Sequence, residues 1–145
     1  MMENKFPRWR QELKSARKKE GKLPSNRWFQ LCTINSNNEP RLRTVVFRGW
    51  GTATSILIFT DNRSEKIAHL KLNSNAEILW LFFKSKSQFR FKGKVKKLKE
   101  SIKYWDSLSD KAKSTWFWQD PGKNINNNTE TSQIATSNLN QPKNF

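Results

Sequence analysis

The stretch "RLRTVVFRGW", residues 41–50, decides how the chain is read. Val45, Val46 and Phe47 are β-branched or aromatic, as a strand requires, while Arg41, Arg43 and Arg48 bracket them and Gly49 ends the run. Strand alternation puts Arg41, Arg43, Val45 and Phe47 on one side and Leu42, Thr44, Val46 and Arg48 on the other. Neither side is cleanly polar. An arginine that shares a face with core residues calls for an anionic partner, and few carboxylates lie nearby in the sequence.

The rest of the 145-residue chain carries the same bias, with 28 lysines and arginines against 12 acidic residues, a formal charge of +16. This length suits one domain. The charge favours an anionic partner, such as nucleic acid, an acidic membrane surface or a phosphorylated small molecule. Abundant lysine and asparagine offer the plainer reading of a compositional bias. A single cysteine, Cys32, excludes an intrachain disulfide, and a single histidine, His69, argues against a zinc site. No apolar run approaches the roughly 20 residues that span a bilayer. The start of the chain lacks the apolar centre of a signal peptide, so a cytoplasmic protein is expected.

Working outward from the opening stretch, "RWFQLCTIN" reads as a strand and "SNNEP" as the turn of a hairpin between the two. Residues 7–20 suit a helix, with Trp9, Leu13 and Ala16 along one stripe. "SILIF", residues 55–59, reads as a third short strand that could pair with the second, and "TDNRSEKIAHLKLN" as a turn and then a helix on Ile67 and Leu70. "AEILWLFF", residues 76–83, is apolar without alternation, which predicts burial on both faces. In "QFRFKGKVKK", Phe89, Phe91 and Val95 alternate with Arg90, Lys92, Lys94 and Lys96, giving one core face and one charged face. Short helices are expected at 98–106 and 109–118, the second capped by Ser109. Five strands with helices after the third and fifth predict an α+β fold, a small, mainly antiparallel β-barrel with flanking helices. The expected domain covers 1–122, and 123–145 reads as a flexible, Asn-rich polar tail.

A second basic cluster, "FTDNRSEK", residues 59–66, sits where the third strand yields to a helix. A helix start presents unsatisfied N–H groups and a positive dipole end, so Arg63 and Lys66 are unfavourable there unless an anion joins them. Thr60 and Ser64 add hydroxyl donors. The alternative is that Asp61 or Ser64 caps the helix while both cations point into water. If the second and third strands pair in a hairpin, Arg43, Ser64 and Lys66 are expected to converge on one phosphate.

"RTVVFRGW", "FTDNRSEK", "AEILWLFF" and "QFRFKG", taken in order, resemble the successive motifs of the pyridoxamine 5′-phosphate oxidase-related FMN-binding proteins. "PRWR" near the start and "SDKAKSTWFWQDPG" at 109–122 extend the likeness over most of 7–122. The resemblance implies a split β-barrel homodimer with FMN in clefts at the subunit interface. It implies that Arg43 and Lys66 grip the flavin phosphate, with Phe59, Thr60, Arg63 and Ser64 in the adjoining motif. It also implies that Thr44, Val45, Val46 and Phe47 run along the isoalloxazine ring. Arg48 falls where the oxidases usually have a lysine near flavin and substrate, and Gln88 matches a glutamine that hydrogen-bonds the ring. Tyr104 matches a substrate-phosphate tyrosine, but Leu108 stands where the accompanying arginine should be, and Glu65 replaces an arginine before Lys66. The expected protein is an FMN-dependent oxidoreductase of unassigned substrate, with no catalytic residue singled out. The alternatives are a basic barrel that binds single-stranded nucleic acid through Trp80, Phe89 and Phe91, or a split barrel that has lost its flavin.

Overall fold

Leu13 and Ala16 recur at helical spacing and turn one side of α1 (Arg8–Glu20) into the core. The helix stops at Gly21, whose φ of 65° lies where side chains are strained and glycine is favoured, and whose N–H still donates to the Arg17 carbonyl. The computed structural model describes residues 6–99, 101–117, 121–122, 141–143 and 145. The chain divides into two compact units, one of Met1–Phe59 with His69–Val95 and one of Thr60–Ala68 with Lys96–Phe145.

In the first unit, β1 (Trp28–Ile34) and β2 (Pro40–Val46) form the expected antiparallel hairpin, with Phe29 opposite Val45 and Leu31 opposite Arg43. Beyond β2 the unit holds β3 (Gly49–Thr52), β4 (Ser55–Leu57), the part of α2 (Glu65–Leu72) from His69 onward, β5 (Asn75–Phe82) and β6 (Ser87–Lys94). The main sheet has the order β2-β1-β5-β6, and β3 and β4 make a separate two-stranded sheet. Alternation turns Phe29, Leu31, Val45, Trp80 and Phe82 inward, where they pack with Leu13, Ala16 and Phe47. The core is strongly aromatic: the Trp80 ring lies 5.0 Å from Phe29, 5.3 Å from Phe47 and 5.3 Å from Phe82.

Helix α1 is fastened at both ends. Arg10 donates to the carbonyls of Thr52 and Ala53 and lies 4.1 Å over the Trp50 ring. At the other end the fully buried Glu20 carboxylate accepts from the Ser25 hydroxyl and from the backbone N–H groups of Phe83 and Lys84, both at 2.9 Å. Burial alone would raise the Glu20 pKa, but the hydrogen bonds from Ser25, Lys84 and Phe83 outweigh it and hold the carboxyl below its usual range.

Two expectations are corrected. "SILIF" does not pair with β2; its first residues, Ser55–Leu57, pair with Gly49–Thr52. The opening stretch therefore holds two strands, and Gly49, at a φ of 125°, is the switch between sheets that a side chain would strain. β5 is not buried on both faces: Trp80 and Phe82 are fully buried, whereas Leu81 is 42% exposed and the following Phe83 64%. Antiparallel pairing with one covered face imposes that alternation on an apolar run. β6 behaves as predicted, with Phe89 and Phe91 packed inward and Arg90, Lys92 and Lys94 exposed.

The second unit holds α3 (Ser101–Asp106) and α4 (Asp110–Ser114), the latter capped by the Ser109 hydroxyl accepting from Ala112 N–H at 3.3 Å. Trp105 is buried, and the Phe145 ring lies 5.1 Å from it and 4.7 Å from Trp116. Most of the expected tail, 123–140 and 144, lies outside the described residues.

Candidate cofactor site

Within the second unit, the turn before α2 gathers one cation and two hydroxyls. Lys66 Nζ donates to Thr60 Oγ1 at 2.8 Å and to Ser64 Oγ at 3.0 Å, and the two hydroxyl oxygens are 3.3 Å apart. Ser64 is buried, and its carbonyl accepts from Ile67 N–H at the first turn of the helix. Arg63 behaves differently. Its guanidinium forms an ion pair with Asp61 at 2.7 Å, and Asp61 also accepts from the Arg63 backbone N–H. That pair stiffens the turn, while Lys66 folds back over the hydroxyls. A lysine ammonium, two hydroxyl donors and the N–H end of a helix form a donor set that fits a phosphate.

Within the first unit, Arg43 lies on the inward side of β2, as alternation predicts. Its Nη1 donates to Thr33 Oγ1 at 2.6 Å and to the Leu31 carbonyl at 3.3 Å, while Nη2 lies 3.5 Å from His69 Nδ1. Thr33 and His69 are both buried and are themselves joined at 3.0 Å. Neither residue stands out in the sequence. Thr33 carries a signal only as a polar residue on the inward register of β1. His69 falls between the apolar positions that define the helix stripe.

The side chains of the segment Thr44–Phe47 divide between the two sides of the sheet. Val45 and Phe47 are buried in the core, whereas Thr44 faces outward into a cavity of about 340 Å³ lined by Leu23, Trp28, Gln30, Leu81 and Phe83. Val46 lies on the same outward register. Arg48 has its guanidinium 5.7 Å from the Phe59 ring centroid, and desolvation, then the charge of Arg27, lower its pKa. Gln88 is exposed on β6, opposite Leu81. Tyr104 is half-buried in α3, in the second unit, with Lys103 Nζ 5.3 Å from its ring. The rings considered for base stacking point inward: Trp80 is fully buried, and Phe89 and Phe91 pack on the core away from the lysines of β6.

Comparison with known proteins agrees with the donor set. The family described as "Pyridoxamine 5′-phosphate oxidase, FMN-binding domain" matches residues 6–99. The chain is 32% identical over 137 residues to pyridoxine/pyridoxamine 5′-phosphate oxidase 2 of Arabidopsis thaliana, covering 87% of this chain and 69% of that protein. It is 30% identical over 104 residues to the pyridoxine/pyridoxamine 5′-phosphate oxidase of Bordetella pertussis, spanning 70% of this chain but only 47% of that one. A solved structure of a pyridoxamine 5′-phosphate oxidase-related, FMN binding protein from Nostoc punctiforme superposes with a TM-score of 0.74 at 31% identity, over 83% of this chain and 69% of its own. The chain thus belongs to the pyridoxamine 5′-phosphate oxidase FMN-binding domain family, whose cofactor is FMN.

Proposed function

We propose that this protein binds FMN and acts as an FMN-dependent oxidoreductase. The observation that carries the reading is the cluster of Lys66, Thr60 and Ser64 at the start of α2. In this reading that cluster takes the flavin phosphate, the Asp61–Arg63 pair holds the turn around it, and Arg43 is the second cation that the sequence assigns to the phosphate. The backbone of Thr44–Phe47, with Arg48, Phe59 and Gln88, is assigned to the ring. Bound FMN supplies the hydride chemistry, and the chain's own residues bind and orient it. Tyr104 is the residue assigned to a substrate phosphate, and Leu108 beside it leaves the substrate class open. The cofactor domain is assigned to 1–122 and the location to the cytoplasm; among the described residues, no helix is long and apolar enough to cross a membrane.

The same proposal includes a homodimer. The outward face of the main sheet carries Trp28 at 53% exposure, Leu42 at 67%, Leu81 and Phe83, an apolar surface of the kind that marks an interface. Its assigned occupant is a second copy of this chain. Titration of the purified protein with FMN, followed by its visible spectrum, tests the function. Saturable binding with a perturbed flavin spectrum is expected, and a colourless protein that leaves the FMN spectrum unchanged throughout the titration overturns it.

A further inference from the structure

We propose that Thr33 and His69, two residues outside every motif of the family resemblance, are positioning residues for the cofactor phosphate because they fix the orientation of Arg43. This inference rests on the FMN reading, and specifically on the assignment of Arg43 to the phosphate. An arginine side chain is long and costly to immobilise, so one that serves an anion gains from being held in place before the anion arrives.

The donor chemistry of the guanidinium fixes the first contact of the hold. A guanidinium only donates, so Thr33 Oγ1 accepts from Arg43 Nη1 at 2.6 Å. Thr33 Oγ1 also lies 3.0 Å from His69 Nδ1, and in the tautomer with the ring proton on Nε2 that nitrogen accepts the Thr33 hydroxyl proton. The same Nδ1 faces Arg43 Nη2 at 3.5 Å. Arg43, Thr33 and His69 thus form a closed triangle, completed by the Leu31 carbonyl at 3.3 Å from Nη1. Thr33 is fully buried and His69 nearly so, so water does not replace either partner cheaply. Three separate elements contribute: β1 gives Thr33, β2 gives Arg43 and α2 gives His69.

Binding of FMN and of riboflavin, which lacks the phosphate, separates this role from a merely structural one. In Thr33→Val, which keeps the shape and removes the hydroxyl, FMN affinity is expected to fall about tenfold while riboflavin affinity stays unchanged. Thr33→Ser restores FMN binding. His69→Asn, which keeps an acceptor near Nδ1, retains more of the FMN preference than His69→Phe, and this pair serves if the valine variant does not fold. Equal loss of both flavins in folded Thr33→Val, or an unchanged FMN preference there, overturns the inference alone. A wild-type protein that does not distinguish FMN from riboflavin overturns the assignment of the phosphate site and this inference with it.

Discussion

The two faces of the main sheet are built from the same four strands yet obey different rules. The inward face is closed by α1 and holds Phe29, Leu31, Val45, Trp80 and Phe82 with almost no exposure. The outward face is nearly as apolar in places, with Trp28, Leu42, Leu79 and Leu81, and remains exposed in the single chain. Burying an aromatic side chain contributes roughly 1.5–3 kcal/mol, so a chain gains little from exposing several unless something covers them. The inward face is therefore a matter of folding, and the proposed homodimer makes the outward face one of association. Arg43 and Thr44, neighbours in sequence, are divided by that boundary: one joins the inward polar triangle, and the other lines the outward cavity.

Breaking the inward face has the largest expected effect. Trp80→Ala removes a fully buried ring and should cost about 4 kcal/mol of stability, read by denaturant unfolding. Next is the clasp between α1 and the β5–β6 turn. Glu20→Gln keeps the shape but sets an amide N–H₂ against backbone donors, and should cost about 2 kcal/mol at neutral pH. The sign of its pH dependence follows from a folded-state pKa below the ordinary 4.5. The contribution is present above 4.5, declines as pH falls through the folded value, and is lost below it. The acid limb of the wild-type stability curve should accordingly be flatter in Glu20→Gln. On the outward face, Trp28→Ala should leave thermal stability of the monomer nearly unchanged while weakening the proposed dimer by about 2 kcal/mol, roughly 30-fold in sedimentation equilibrium. A monomeric wild type, or a variant that unfolds, would erase the distinction between the faces.

The sequence was informative wherever local periodicity decides the outcome. The helix of residues 7–20, the β1–β2 hairpin and the inward–outward alternation of β6 follow from spacing alone. It was less so where the decision is tertiary. β3 is four residues long and contains two glycines, too short and too bare for any pattern, so Gly49 read as an end when it is a switch. The uninterrupted apolar run of β5 concealed its two unequal faces, since hydrophobicity does not record which side has a cover. In the site, the cluster at 60–66 was legible because its members are close in sequence. The Thr33–Arg43–His69 triangle was not, because only strand register and helix docking bring a threonine and a histidine 36 residues apart into contact.

The most direct test of the phosphate assignment is FMN binding by Lys66→Met against wild type, measured by quenching of tryptophan fluorescence. Removing one charge-assisted contact should weaken FMN binding about 10- to 100-fold, with riboflavin binding unaffected. Equal FMN affinity in the two proteins would contradict it.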